Sequence, residues 1–171
     1  MIHDSSTAPA WHLVQLNVGR TLAPLDSPQL ADFVNQLDEI NQLAEASPGF
    51  VWRLVGNSGN ATDVVVDNHP GLLVNMSVWT SAELLFTYVY KTAHTKVMAR
   101  RREWFERIET FQVLYWIPAG QLPTVDEAMA RLELLRERGP SPEAFTFKQR
   151  FPAPGELGAP INMRPEPYCV A

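Results

Sequence analysis

The sequence offers little with which to make covalent or metal cross-links. Its single cysteine, Cys169, stands third from the end of 171 residues, so an internal disulfide is excluded and a reducing, cytoplasmic setting is the expectation. His3, His12, His69 and His94 lack the short spacings of zinc ligands, and no metal site is expected. No segment approaches the roughly 18–20 apolar residues that cross a bilayer. The opening "MIHDSSTAPAWHL" does not have the basic-then-apolar order of a signal peptide. Positive charge is also scarce: 14 Lys and Arg stand against 19 Asp and Glu, a net charge of -5. That argues against binding nucleic acid or an anionic membrane surface through broad electrostatics. There is no GxGxxG, no Walker loop and no GxSxG. The glycines of "VGNSGN" follow a strand into a long polar turn rather than a helix, so they read as a turn.

What is present suffices for one domain with a real core, since 46% of the residues are hydrophobic. The expected organisation is an arm over 1–10, a domain over 11–152 and an extended tail over 153–171. Half of the 14 prolines follow Gly139, which is why the tail is not read as helix or central strand. "WHLVQLNVGR" reads as a first strand, and "LDSPQLADFVNQLDEINQLAEASPG" as a helix with Ser27 as N-cap and Pro48-Gly49 as its stop. Two further strands, "FVWRLVG" and "LLVNMSVW", precede a second helix from "SAELLFTYVY", which either breaks near Lys91 or runs on through Phe105. "FQVLYWI" is a fourth strand. The order strand, helix, strand, strand, helix, strand predicts an α+β ferredoxin-like split βαβ with a four-stranded antiparallel sheet. A third amphipathic helix, "TVDEAMARLELLRERG", is appended, with Thr124 as N-cap and Gly139 at its end. Beyond it, "FTFKQRF" is a candidate to pair against a sheet edge.

Period two separates the strand faces. One phase is nearly all apolar: Val14, Leu16, Val18; Phe50, Trp52, Leu54; Leu72, Val74, Met76, Val78; Val113, Tyr115, Ile117. The other mixes amides with aromatics, including Gln15, Asn17, Arg53, Asn75, Ser77, Trp79, Gln112 and Trp116. A sheet carrying both helices on one side leaves the other side bare, and exposed apolar surface of that size favours a partner. The mixed face either contacts water or lines a pocket, because binding sites combine apolar walls with a few placed polar groups.

The segment "YVYKTAHTKVMARRREWFERIETF" is charged enough to look solvated throughout. Taken as one helix over 90–105 at 100° per residue, it places His94 and Arg101 in the middle of a stripe with Tyr90, Val97, Met98, Trp104 and Phe105. An inward guanidinium must find a partner, and its planar fork suits a carboxylate or carbonyl oxygen. An inward imidazole beside a cavity suits proton transfer. The residues therefore nominate His94 and Arg101 as catalytic, with Arg101 or Arg53 holding an oxygen. Asn17 and Asn75 would orient the substrate while Trp79, Trp104 and Trp116 wall it in.

The segments "WHLVQLNVGR", "PGFVWRL", "NMSVW", "AHTKVMARRREWFE" and "WIPAGQLPTVDEAMARLELL", in that order over about 11–152, resemble a bacterial family known as domain of unknown function 3291. The resemblance implies membership of the dimeric α/β-barrel superfamily, in which two such sheets pair face to face as a homodimer. That superfamily includes cofactor-independent antibiotic-type monooxygenases, small cyclases and haem proteins, with pockets between sheet and helices. Three readings stand at this level. The first is a monooxygenase-, cyclase- or isomerase-like enzyme acting without a cofactor on a planar, partly apolar metabolite. The second is a haem protein with His94 as axial ligand, and the third a non-catalytic binding or dimerisation module.

Overall fold

The computed structural model describes residues 11–162. The arm over 1–10, Cys169 and the end of the tail lie outside the described residues. Four strands form one antiparallel sheet: β1 (Trp11–Arg20), β2 (Phe50–Arg53), β3 (Leu72–Trp79) and β4 (Gln112–Pro118), in the order β2-β3-β1-β4. A helix follows β1, α1 (Ala31–Glu45), and another follows β3, α2 (Ala82–Lys91). This is the ferredoxin-like arrangement. The local signals hold at several ends. Ser81 caps α2, its Oγ accepting from the Leu84 N–H, and Thr124 Oγ1 accepts from the Glu127 N–H to start α5 (Val125–Arg138). Pro28–Leu30 winds as a 3-10 turn that leads into α1, with Ser27 before it making no side-chain cap. Gly49 ends the α1–β2 turn at φ 83°, where a Cβ would stand 2.4 Å from a Leu84 methyl, so only glycine fits.

Of the two courses open to the second helix, the break near Lys91 is the one observed, and the single helix over 90–105 is corrected. The chain breaks at Thr92, whose backbone is extended, and resumes as two short turns of helix, α3 (His94–Ala99) and α4 (Arg101–Trp104). Thr92 and Thr95 bind α2 carbonyls through their hydroxyls, Thr92 Oγ1 to Tyr88 O at 2.5 Å and Thr95 Oγ1 to Val89 O at 3.2 Å. Side chains thus satisfy carbonyls that a continuous helix would have bonded with its own N–H groups.

The two faces of the sheet are covered differently. The apolar face packs Val14, Leu16, Met76, Val78, Tyr115 and Ile117 against Ala128, Met129, Leu132 and Leu135 of α5, with Val66 joining from the 54–71 segment. The expectation of a bare face awaiting a partner is therefore corrected: one chain seals it. The mixed face lies toward α1 and α2. In register across it run Asn75, Asn17 and Gln112; then Ser77, Gln15 and Leu114; then Trp79, Leu13 and Trp116. In β2 the alternation is interrupted between Phe50 and Trp52, so Phe50 pairs with Trp79 and Trp52 with Val78. Phe50 therefore joins the mixed face and Trp52 the apolar one, because a bulge at Val51 shifts the phase. Phe145 pairs with Leu114 on the β4 edge through two backbone hydrogen bonds of 2.8 and 2.9 Å. A two-stranded ladder, β5 (Gln149–Arg150) with β6 (Ile161–Asn162), follows.

Candidate functional site

The mixed face divides along its strands. At the tryptophan end α2 packs directly on the sheet. Trp79 is fully buried, stacked on Tyr88 at 5.1 Å with Phe50 edge-on at 5.5 Å, and its indole N–H donates to Ser77 Oγ. At the amide end, four residues along β3 and thus roughly 13 Å away, nothing fills the space. There α1 stands off the sheet, and Phe33, Leu37 and Ile40 on its apolar stripe are only partly buried. Ala44 is its one buried residue. The space beneath is a pocket of about 140 Å³. Its floor is Asn17 to Gly19 and Leu73 to Asn75, its roof α1, and its walls α3 with α4 and the turn Asn60 to Thr62.

Asn17, Asn75, His94, Arg101 and Trp104 line this pocket. Arg53, Trp79 and Trp116 do not, and their placement in it is corrected. Arg53 is bound to Glu45 at 2.7 Å at the sheet edge. Trp79 is core, and Trp116 donates its indole N–H to Phe151 O at 3.0 Å beside the C-terminal segment. Sharing a face put the tryptophans with the amides; distance along the strands separates them.

Arg101 is the one charged side chain among the lining residues, which contain no Asp or Glu. Its Nη2 donates to Val18 O at 2.8 Å, and its guanidinium lies against the rings of Phe111 (4.2 Å) and Phe105 (4.9 Å). No carboxylate among the described residues reaches it. Burial lowers its pKa to about 10, so it stays cationic at neutral pH. Arg100, one residue earlier, is spent differently, bridging Asp32 of α1 at 2.9 Å and Glu103 at 2.8 Å over the Trp104 ring. That bridge and the Leu22 N–H to Trp104 O bond (2.8 Å) fix α4 against α1 and the end of β1.

Gly19 makes the approach possible. A Cβ there would meet Phe105 Cδ1 at 2.7 Å and Arg101 Nη2 at 3.4 Å. Gly19→Ala should therefore displace the Phe105 ring on which the cation rests, costing about 1–3 kcal/mol of stability. Chemical denaturation checks this, and a cost near zero would mean the ring yields freely.

His94 begins α3 at the break. Its Nδ1–H donates to Val89 O at 3.3 Å, leaving Nε2 as the lone-pair nitrogen, and its ring leans on Tyr88 at 4.8 Å. Burial lowers its pKa below the ordinary 6.5, opposed by the Val89 bond. The unfolded chain thus binds this proton at a higher pH than the folded one. Stability should be full above about pH 6.5 and decline as the pH falls through the depressed folded value. His94→Gln should flatten that decline in melts recorded between pH 7.5 and 5; an unchanged slope would assign it to other groups.

Asn17 Oδ1 is buried and has no hydrogen-bond partner. The sequence pattern does not reveal several lining residues, among them Gly19, Gln36, Asn41, Asn60 and Thr62. Asn41 was within reach, since it sits four residues after Leu37 on the apolar stripe of α1. The Asn60–Thr62 turn gives no periodic signal. It is held from within, Asn60 Oδ1 accepting from Thr62 N–H and hydroxyl at 2.9 and 2.6 Å, and the Asp63 carboxylate accepting from Ser58.

Among the described residues no group of three or more His, Cys, Asp or Glu could hold a metal, and no helix is long and apolar enough to cross a membrane.

The family model described as Domain of unknown function (DUF3291) matches residues 12–159. No curated protein matches the chain in sequence. Among solved structures, a conserved protein from Methanosarcina mazei Go1 is similar at 10% identity and a TM-score of 0.45, covering 64% of this chain and 93% of that one. A protein of unknown function from Nitrosomonas europaea is similar at 12% identity and 0.42, covering 68% and 99%. A proposed antibiotic biosynthesis monooxygenase from Chloroflexus aurantiacus J-10-fl is similar at 13% and 0.37, covering 67% and 98%. None of these likenesses bears on chemistry.

Proposed function

The chain belongs to the DUF3291 family, a membership that assigns no reaction, and from the pocket we propose a small-molecule enzyme. Its substrate is a planar, partly apolar metabolite with a carbonyl or carboxylate oxygen. Arg101 receives that oxygen, Asn17 and Asn75 orient the molecule, and Trp104 with the apolar stripe of α1 walls it in. His94 takes a proton from the carbon beside the carbonyl. The electron pair left behind moves onto the carbonyl oxygen, giving an enolate held by the guanidinium. Such an enolate is a common entry to isomerisation, cyclisation and oxygenation. A neutral imidazole is required for the first step, and the burial of His94 favours the neutral form.

The observation that supports this reading most is Arg101, a half-buried cation with a backbone carbonyl as partner, opening on a pocket lined by no acid. A charge so placed is costly until an anion or oxyanion arrives. The reading calls on no cofactor, nucleic acid or membrane, and a cytoplasmic setting is part of it. A homodimer, which the resemblance implies, would use a surface other than the sheet face that α5 seals.

Proton exchange provides the test. Phenylpyruvate in D2O should lose its benzylic proton signals faster with the protein than in buffer, and His94→Gln should reduce the excess rate by about 10²–10⁴ while keeping the thermal midpoint. Binding without exchange would make the chain a binding module. Exchange untouched by His94→Gln would remove His94 from the mechanism.

A further inference from the structure

Resting on the reading of the pocket as an anion site, we infer that its ligand is a hydroxy- or enol-acid, with Asn17 as the residue that selects the hydroxyl. Asn17 lies mid-sheet, in register with Asn75 on one side and Gln112 on the other. Either neighbouring amide could donate to it, yet Asn17 Oδ1 is buried without a partner. A buried acceptor left so is costly, and a ligand that brings a donor removes the cost. The next residue along the strand, Val18, accepts the bond from Arg101. At roughly 3.3 Å of rise per residue, the anion site and the waiting acceptor stand within about two strand residues of each other. One small molecule therefore spans both if its O–H lies a few bonds from its carboxylate.

The donor is a hydroxyl and not an ammonium. The lining carries a guanidinium and no carboxylate to balance a second cation, so an amino acid would meet like charge at close range.

Calorimetric titration with three probes decides between the possibilities. They are benzoate, 3-methoxybenzoate and 3-hydroxybenzoate, whose hydroxyl is too far from its own carboxylate to bond it. The wild-type protein should bind 3-hydroxybenzoate about ten- to a hundredfold more tightly than the other two, and Asn17→Leu should erase the preference. If the wild type binds all three alike, the selection by Asn17 is overturned while the anion pocket stands. If none binds, both are overturned. Should Asn17→Leu fail to fold, Asn17→Ala takes its place in the series, and a preference that survives the substitution overturns the selection by Asn17.

Discussion

Arg101→Met should abolish most ligand binding and leave the fold nearly as stable as before. A hydrogen-bonded charge contributes about 1.5–3 kcal/mol, so the affinity for benzoate or phenylpyruvate should fall on the order of ten- to a hundredfold. Stability should change by less than about 1 kcal/mol, because two effects oppose each other. The variant loses the bond to Val18 O and the contacts with Phe105 and Phe111. It also loses a cation that burial disfavours enough to lower its pKa to about 10. Replacing buried charge by apolar volume is often neutral or stabilising, and methionine follows the same path between the two rings. Arg100→Met offers the contrast. Arg100 is tied to Asp32 and Glu103 at the surface, so its loss should loosen α4 slightly and affect binding little. Calorimetric titration and thermal melts on both variants separate the cases. An Arg101→Met protein that melts far below wild type and still binds would make Arg101 a structural residue and withdraw the proposed function.

Much of this arrangement is legible in the amino-acid order alone. Element order predicts the ferredoxin-like topology, because each apolar period and each cap is a local property of the chain. The strand phases separate Asn17 and Asn75 from the apolar set, and the structure brings those two amides together in register. His94 and Arg101 stand out on the premise of one helix, which the structure breaks at Thr92. They line the pocket nonetheless, since α3 and α4 fold against the same end of the sheet. Two kinds of information are not available from pattern. Period two says which face a residue occupies but not how far along it lies, which is how Trp79 and Trp116 come to be grouped with the amides. Nor does amphipathicity say what an apolar stripe faces. The stripe of α1 looks like core and covers a cavity, whereas α5 looks like an appendage and is half of the main core.

That role of α5 leads to the other large expected effect. Leu132→Ala should destabilise the protein by about 2–5 kcal/mol. At roughly 2–4 °C per kcal/mol for a chain of this size, the thermal midpoint should fall by on the order of ten degrees. Leu132 has no exposed surface and packs in the cluster formed by α5 with β1, β3 and β4. Its neighbour Glu133 points outward to Arg136, and Glu133→Ala should cost less than about 1 kcal/mol, which makes it the internal control. The comparison also decides what covers the sheet in solution. With α5 as the permanent cover, the Leu132→Ala midpoint is low and does not vary with protein concentration. Were a second sheet to displace α5 and form a face-to-face barrel, Leu132 would be released from the core. Its replacement would then cost little, and the midpoint of the wild-type protein would rise with concentration as expected for an obligate dimer.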